Sequence, residues 1–464
     1  MKIVVLNGSP KGDNSITLQY VRYIQNHFPD IEWQTANIAV GTEQFEKSHD
    51  AFNDVIELVR QSDAVLWAFP LYYCLVCGQM KRFIELIFER EVESAFAGKY
   101  AAALTTSIHF FDHTAHNYIN AVSDDLNMNY VGGFSADMRD LFKSEERLML
   151  LRFAERFLET VKNKTATIRN FQPITAAKQK YSPEPVIDVP KTGKWKITLL
   201  TDETNPESNL GKMIDVFVSS TPNPIVILNI CDIDMKGGCL GCIHCAYDNT
   251  CVYHDGYREA FESKVKTADA VILAGTMKDR YLSAKWKTFF DRSFYNGHIP
   301  VLKGKKAAWL VSGALRQNAN LREIIEGYTQ VSGAYIACIA TDEYESSQEI
   351  TSKLCSLAGS LMWALEKNMD VPHNFLAFSS HLLFRDFLYQ GARFPFRSDH
   401  KYYKENKLYD MPHKEIKRRL TASIMSLLMK IPSMRKNIQK DMIKHMVSPY
   451  KKLVEKECGE TDQQ

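Results

Sequence analysis

The sequence predicts an α/β protein made of two doubly wound, parallel-sheet domains in tandem, followed by a helical C-terminal extension. Strand-like and helix-like segments alternate along the chain, which is typical of a parallel sheet with helices on both faces. Apolar runs such as AVLWAF, residues 64–69, are continuous, as expected of strands that are buried on both sides. The same order of elements begins a second time at Lys194.

The length and composition of the chain are those expected of a protein with several globular domains. The chain has 464 residues, of which 45% are hydrophobic and 24% are charged. We expect a domain at 1–167, a linker at 168–193, a second domain at 194–368 and an extension at 369–464. The short apolar N-terminus does not resemble a secretory signal, and no run of about 18 apolar residues is present. These features predict a cytoplasmic protein.

The first domain contains strands and helices joined by short connections. The predicted elements are a strand at 2–7, a helix at 17–27, a strand at 33–38, a helix at 51–61, a strand ending near residue 69, a helix at 78–89, a strand at 100–106 and a helix at 145–161.

The second domain repeats this order at a nearly constant spacing. A shift of 206 residues aligns SDAVLWAF with ADAVILAG and places Lys81 opposite Lys287. At the two starts the shift is 194, with Lys2 opposite Lys196, and a cysteine-rich segment accounts for the difference. Any two α/β domains share a general likeness, but identities at one fixed offset favour a duplication.

The loop after the first strand, GSPKGDNSIT (residues 8–17), is a candidate anion site. Parallel sheets of this kind bind ligands at the carboxyl ends of their strands. The loop offers the hydroxyls of Ser9, Ser15 and Thr17, and the amides of the next helix attract anions. It is neither a Walker loop nor a G-x-G-x-x-G motif, so a phosphate monoester suits it best. A solvated helix cap would contain the same residues.

Two further loops are predicted at the same edge. The segment FPLYYCLVCGQMKRF follows the third strand, and TTSIHFF follows the fourth. The residues that could form a wall for a flat aromatic ring are Pro70, Leu71, Tyr72 and Tyr73.

With these loops the sequence resembles the flavodoxin-like NAD(P)H-dependent FMN reductases and quinone reductases, together with their iron–sulfur flavoprotein relatives. The resemblance covers residues 1–165 well and residues 194–368 in outline. It implies bound FMN, with NAD(P)H as the donor. The cofactor-binding residues that it implies are Ser9, Pro10, Asn14, Ser15 and Thr17 at the phosphate, Pro70, Leu71, Tyr72 and Tyr73 beside the ring, and Thr105, Thr106, Ser107 and His109 on the third side.

We therefore expect an FMN-dependent NAD(P)H oxidoreductase that reduces a small-molecule electron acceptor. A flavin supplies the hydride chemistry itself, so no obligatory acid or base is required from the loops. Tyr72, Tyr73 and His109 are weak candidates for protonating a substrate, because such residues more often only pack or hydrogen-bond. The alternatives are a non-enzymatic electron carrier that serves a redox partner protein, and a binding scaffold.

The second domain lacks counterparts of the phosphate loop and of the aromatic wall. Its first loop, TDETNPESNLGK, carries Asp202, Glu203 and Glu207, which would repel a phosphate. GTMKDRY replaces the aromatic wall. We expect no FMN here in the usual way, although Asn205, Ser208 and Asn209 could form another polar site.

Four cysteines lie within thirteen residues of the second domain: Cys239, Cys242, Cys245 and Cys251. A C-x2-C-x2-C run with a fourth cysteine nearby can hold an iron–sulfur cluster. In the resembling families this spacing implies a [4Fe–4S] cluster in some members and metal-free thiols in others. Both outcomes, and zinc or another metal, stay open.

The resemblance also implies dimers in which one subunit approaches the flavin of the other. A duplicated chain could form a monomeric pseudo-dimer, or it could form a homodimer. In the pseudo-dimer the cysteine segment would approach the flavin of the first domain.

The extension is basic, with 18 Lys and Arg against 10 Asp and Glu from residue 371 onward. Its helix-like part presents an apolar stripe formed by Ile416, Leu420, Ile424, Leu427 and Leu428. A helical appendage explains this pattern most simply, and peripheral membrane contact is the alternative. No nucleic-acid-binding module accompanies the charge, so we expect no nucleic-acid partner.

Overall fold

The structure is a computed structural model that describes residues 1–175, 180–186, 188–344, 346–372, 374–440, 442, 447–448 and 450–451. Its contacts divide the chain into one compact unit, Met1–Tyr402, and a second unit that begins at Tyr403.

The first sheet has five parallel strands in the order β2-β1-β3-β4-β5. Its strands are β1 (Lys2–Asn7), β2 (Glu32–Asn37), β3 (Ala64–Pro70), β4 (Tyr100–Ser107) and β5 (Asn129–Asp137). The helices around it are α1 (Ile16–His27), α2 (Thr42–Lys47), α3 (His49–Arg60), α4 (Gly78–Glu89), α5 (Asp112–Asp125) and α6 (Ser144–Lys162).

The second sheet repeats this order as β10-β9-β8-β6-β7, again with parallel pairing. Its strands are β6 (Ile197–Thr201), β7 (Ile225–Asn229), β8 (Ala270–Thr276), β9 (Lys306–Ser312) and β10 (Tyr335–Thr341). The helices of this region are α7 (Asn209–Ser220), α8 (Gly256–Ala260), α9 (Ala284–Arg292), α10 (Ala319–Val331) and α11 (Ser347–Glu366). The predicted fold class, two flavodoxin-like α/β domains in tandem, is confirmed.

Burial explains the strands that the sequence pattern predicts. Every residue of β3 before Pro70 is buried, and so is every residue of β9, which requires apolar side chains on both faces. The sequence reasoning did not predict β5 or α5. Adjacent glycines, Gly132 and Gly133, weaken the strand signal of β5, since glycine has no side chain to pack.

The two sheets are joined through α4 and α9, which exchange hydrogen bonds at their first residues. The Gly78 amide of α4 donates to Asp291 Oδ2 at 2.8 Å, and the Ala284 amide of α9 donates to Glu85 Oε1 at 2.6 Å. A Cβ on Gly78 would lie 2.5 Å from Thr288 Oγ1, so this close approach requires glycine. Each helix thus supplies a carboxylate that accepts from one N-terminal amide of the other.

The segment predicted as a linker packs against both domains where it is described. The amides of Asn170 and Phe171 donate to Asp124 Oδ2, each at 2.9 Å. Tyr181 is fully buried in the core of the second sheet, where its hydroxyl lies 2.8 Å from Thr351 Oγ1. The described parts of this segment therefore pack against both domains although they contain no helix or strand.

The C-terminal extension is helical. It contains α12 (Phe375–Phe387) and α13 (Arg397–Glu405), and, beyond Tyr403, α14 (Ile416–Leu428). The apolar stripe of α14 is exposed, with Ile416 at 71% and Leu420 at 60% of their full accessibility. Within the described residues, no helix combines the length and the apolar character that crossing a membrane requires.

Candidate functional site

Asn7 organises the loop between β1 and α1. Its side-chain amide donates to the Gly12 carbonyl at 3.2 Å, and its Oδ1 accepts from the Ser9 amide at 3.1 Å. Gly8 donates its amide to the Ala68 carbonyl of β3, and a Cβ on it would lie 2.2 Å from Met80 Sδ. These contacts within the chain therefore hold the loop close to the sheet edge without help from a ligand.

The loop ends in polar groups that suit an anion. Ser15 is the N-cap of α1, yet its side chain makes no capping bond to the described helix. The first amides of α1 have no partner within the helix, and they carry partial positive charge. Thr17, fully buried, lies with its Oγ1 2.6 Å from Thr106 Oγ1 of β4. Amides and hydroxyls thus converge on one end of the site.

A tight turn follows β3 and carries the proposed ring wall. Tyr72 and Leu75 exchange backbone hydrogen bonds at 2.9 and 3.0 Å, and the two residues between them, Tyr73 and Cys74, have positive φ angles of 33° and 66°. Burial raises the pKa values of the Tyr72 and Tyr73 hydroxyls well above 10. Both hydroxyls therefore stay protonated at neutral pH and can only act as neutral groups.

One cavity lies against the loops that follow β1, β3 and β4. It is lined by nine of the thirteen predicted cofactor-binding residues: Ser9, Ser15, Thr17, Pro70, Leu71, Tyr72, Tyr73, Thr106 and Ser107. The structure thus brings the phosphate loop, the ring wall and the third loop to a single place, as parallel topology requires.

The other four predicted residues lie outside this lining: Pro10, Asn14, Thr105 and His109. Thr105 is buried, with Oγ1 2.9 Å from His116 Nε2. His109 is half exposed and pairs through Nδ1 with Asp112 Oδ2 at 2.8 Å. Thr106 and Ser107 line the cavity at the end of β4, whereas Thr105 is bonded to His116 of α5 instead.

Several lining residues were missed by the sequence reasoning. Lys11 lines the cavity beside the cysteine segment, where burial lowers its pKa and the nearby Cys239 and Cys242 oppose that shift. The cavity is also lined by Ile108, Phe110 and Met138 of the first domain, by residues 293–301 and 328–332 in part, and by Phe384, Phe387 and Phe396. No local sequence signal marks the last two groups, because only the tertiary fold brings them here.

The cysteine segment lies beside this cavity. A Cβ on Gly241 would be 1.9 Å from the Tyr72 hydroxyl oxygen and 3.1 Å from Lys11 Cε, and Gly241 has a φ of +59°. The Gln79 side chain donates to the Cys239 carbonyl at 3.2 Å. The segment therefore approaches the first domain's ring wall, on the side that the pseudo-dimer hypothesis requires.

The four clustered cysteines line a second, small cavity with Arg292. Burial raises the pKa of Cys239, and burial followed by the neighbouring Cys251 and Cys242 raises that of Cys245 to about 12. Among the described residues, no three His, Cys, Asp or Glu side chains are placed to hold a metal ion. The thiols share one cavity but do not form a ready ligand set.

Arg292 leaves one donor unsatisfied at the cysteine cavity. Its guanidinium forms two bonds to Asp255, at 2.8 and 2.9 Å, and one to the Gly237 carbonyl. Its Nε is buried and has no hydrogen-bond partner within the described part of the chain. A buried donor of this kind suits an anionic or sulfur-containing group in the cavity.

The matching loop of the second domain is occupied by its own carboxylate. Glu203 Oε1 accepts from the amides of Thr204 and Asn205, and Glu203 Oε2 accepts from Ser208 Oγ at 2.7 Å. Asp202 accepts from Ser283 and from the Trp286 indole. This agrees with the expectation that a phosphate is repelled here.

The first-domain cavity fits FMN. Open helix amides and buried hydroxyls match a phosphate monoester, and the Pro70–Tyr73 turn provides an apolar face for the ring.

Comparisons with known proteins find similar flavoproteins. Residues 1–138 match the family described as NADPH-dependent FMN reductase. The iron-sulfur flavoprotein of Archaeoglobus fulgidus is 34% identical over 105 residues, covering 22% of this chain and 47% of that protein. The chain thus spans about half the length of this curated relative.

Two solved structures are also similar. An NADH:FMN oxidoreductase is 19% identical and covers 34% of this chain and 89% of its own, with a TM-score of 0.30. An NADPH-quinone reductase from P. pentosaceus is 15% identical and covers 34% and 96%, with a TM-score of 0.27.

Proposed function

We propose that the chain is an FMN-containing oxidoreductase, since residues 1–138 match the family described as NADPH-dependent FMN reductase. It takes reducing equivalents from NAD(P)H and passes them to a small-molecule acceptor. One observation carries the proposal. Three loops at the carboxyl edge of the first sheet line one cavity, to which the first and third loops bring hydroxyls and the second brings aromatic rings.

The phosphate of FMN is held at the N-terminus of α1. The helix amides and the hydroxyls of Ser9, Ser15 and Thr17 donate hydrogen bonds to it, and Lys11 adds a positive charge nearby. The fold of the loop fixes these donors before binding, since Asn7 already ties the loop together. Binding therefore requires little reordering of the chain.

The ring system lies against Pro70, Leu71 and Tyr72. When bound, the flavin supplies hydride chemistry, which no protein side chain offers. The residues orient the ring and exclude water, and Tyr72 and Tyr73 remain neutral hydrogen-bonding groups because burial raises their pKa values. Gly241 brings the cysteine segment over this wall.

The test is FMN binding and turnover by the full-length protein. We expect flavin absorption bands with about one FMN per chain, and NAD(P)H oxidation that depends on an added acceptor such as 1,4-benzoquinone. Ser208→Ala, in the second domain, is the matched control and should retain FMN. A chain that binds no FMN after incubation with the cofactor would overturn the proposal.

We also propose, as a second candidate, that the four cysteines hold a [4Fe–4S] cluster that transfers single electrons. The specific support is the unpartnered Nε of Arg292 in the cavity that all four cysteines line. The ligands would be Cys239, Cys242, Cys245 and Cys251. A protein of this kind could serve as an electron carrier between partner proteins.

Iron content separates the two candidates. About four irons per chain in anaerobically purified protein, lost in Cys242→Ser, would support the cluster. Iron-free protein after cluster reconstitution would exclude it and leave the thiols metal-free. Slow NAD(P)H turnover in iron-loaded protein would favour the carrier over the enzyme.

A further inference from the structure

The helix α14 of the C-terminal extension carries its apolar stripe at the surface. None of its thirteen residues is buried. Besides Ile416 and Leu420, the stripe exposes Ile424 and Leu427, which are 49% and 60% accessible. A helix of this length is marginal in water on its own, and helices in proteins gain most of their stability by packing an apolar face. We therefore expect the stripe to bind a partner.

The two sides of α14 differ in character. Successive residues of an α-helix turn by about 100°, so the five residues of the stripe fall within an arc of about 120°. Ala422 lies at the centre of the opposite side, flanked by Arg418, Arg419 and Ser426. The helix is thus amphipathic, with an aliphatic side and a small, polar and basic side.

The surroundings of α14 are strongly basic. Residues 411–440 contain eight Lys and Arg against one acidic residue, Glu415. All eight cations are exposed: Lys414, Lys417, Arg418, Arg419, Lys430, Arg435, Lys436 and Lys440. A single carboxylate can balance only one of them, so this part of the chain carries a dense positive charge at neutral pH.

The same combination recurs after Pro432. Residues 432–440 are also helical. Ile431, Met434 and Ile438 follow each other at helical spacing on one side, and Ile431 and Met434 are 46% and 43% exposed. Lys436 and Lys440 lie on the opposite side. Exposed apolar side chains and exposed cations are therefore paired in two consecutive helical stretches.

We propose that α14 binds the surface of an anionic lipid bilayer. The helix lies in the plane of the interface, with its stripe among the upper acyl chains and its cations at the headgroup phosphates. Its thirteen residues extend over about 20 Å, which is less than the roughly 30 Å of a hydrocarbon core, so α14 lies along the bilayer rather than across it. Lys417, at the edge of the stripe, can extend its ammonium to the headgroups.

Charge complementarity favours a bilayer over the other occupants of this face. A second copy of the chain would bring two basic segments together, and their like charges repel. A nucleic acid would neutralise the cations but would leave the aliphatic stripe in water. An anionic bilayer offers negative charge and an apolar medium in one surface.

The test is sedimentation of the full-length protein with vesicles of phosphatidylcholine and phosphatidylglycerol in equal amounts. We expect binding that weakens as salt is added, because salt screens the headgroup charge. Vesicles of phosphatidylcholine alone should bind at least tenfold more weakly, since each cation near an anionic surface contributes about a fivefold gain in affinity. No flavin is needed, so the result is independent of the proposed function.

Two matched variants place the same neutral side chain on the two sides of α14. Leu420→Gln should lower the partition coefficient into the mixed vesicles about tenfold, because one aliphatic side chain no longer enters the bilayer. Ala422→Gln should bind as the unchanged protein does. Both positions are exposed, and circular dichroism checks that both variants fold. If Leu420→Gln does not fold, Leu427→Gln makes the same change at another position of the stripe.

Binding that Leu420→Gln weakens and Ala422→Gln retains would support the inference. It would be overturned if the unchanged protein did not bind the mixed vesicles, or if it bound both kinds of vesicle equally. Unchanged binding in a folded stripe variant would also overturn it. Light scattering that shows self-association, lost in Leu420→Gln, together with no vesicle binding would assign the stripe to a second copy of the chain instead.

Discussion

Ser15 and Ser208 occupy the same place in their two domains, as N-caps of the helices that follow β1 and β6, but their side chains do different things. Ser208 Oγ accepts from the Gly211 amide at 2.9 Å and donates to Glu203 at 2.7 Å. Ser15 makes no capping bond in the described structure. The second helix end is capped from within the chain, and the first has no side-chain cap among the described residues.

The third loops differ in the same way. In the second domain, Asp342 accepts from Ser312 Oγ, the Gly313 amide and the Asn209 side chain. In the first domain, Thr106 instead contacts Thr17 at the cavity. The same architecture can thus leave the loops at this edge open or fill them, depending on whether carboxylates of the chain accept from the loop amides and hydroxyls.

The buried ion pairs of α4 and α9 give the strongest contrast to test. Lys287 and Asp291 are fully buried and pair with each other, whereas Glu85 has Arg82 at 3.0 Å besides Lys81. Lys287→Met leaves Asp291 buried without its cation, so we expect a loss of about 3–5 kcal/mol in unfolding free energy. Chemical denaturation measures this value. Lys81→Met should cost less, and an equal loss would contradict the contrast.

Ser15→Asp should place a carboxylate at the N-terminus of α1, as Glu203 is placed at the N-terminus of α7, and so weaken FMN binding. The new carboxylate would repel the FMN phosphate. Two unit negative charges about 4 Å apart repel by about 4 kcal/mol at an effective dielectric constant of 20, so we expect the FMN affinity to fall roughly a thousandfold. Fluorescence titration of FMN gives the Kd. Unchanged affinity would mean that the phosphate lies elsewhere.

Glu203→Ala should open the second loop without creating an FMN site. It removes the acceptor for two amides and one hydroxyl in a partly exposed loop, so we expect a loss of about 1–3 kcal/mol in unfolding free energy. Urea unfolding checks the stability, and FMN titration should still give one site per chain. A second FMN site in this variant would show that Glu203 alone closed the loop.

The smallest effect concerns pH. The hydrogen bond to Asp112 raises the pKa of His109 above 6.5, so this pair stabilises the fold fully below pH 6.5 and loses that contribution as the pH rises through the raised pKa. His109 is 48% exposed, which limits the gain to roughly 0.2–1 kcal/mol. The stability difference between the unchanged protein and His109→Asn should shrink between pH 6 and pH 9. A constant difference would argue against the pair.

Much of the first-domain site could be predicted because parallel topology and motif order fix where loops meet. The hydroxyls of GSPKGDNSIT and the turn at Pro70 follow strands whose apolar runs were plain, so their common edge was predictable. It was harder to predict which individual residues line the cavity. Thr105 and Thr106 are adjacent in sequence, and of these two only Thr106 does so. The missed β5 contains two glycines, which weaken any strand pattern.

The sequence by itself determined the two-sheet architecture and the polar and aromatic character of the loops at the first sheet's edge, because local periodicity and chain order carry that information. It also determined that the second loop is acidic. Only the tertiary structure decided that Glu203 occupies its own helix end, that Gly241 reaches Tyr72, and that Phe384 and Phe387 complete the cavity. Such contacts join residues far apart along the chain, and packing rather than local pattern selects them.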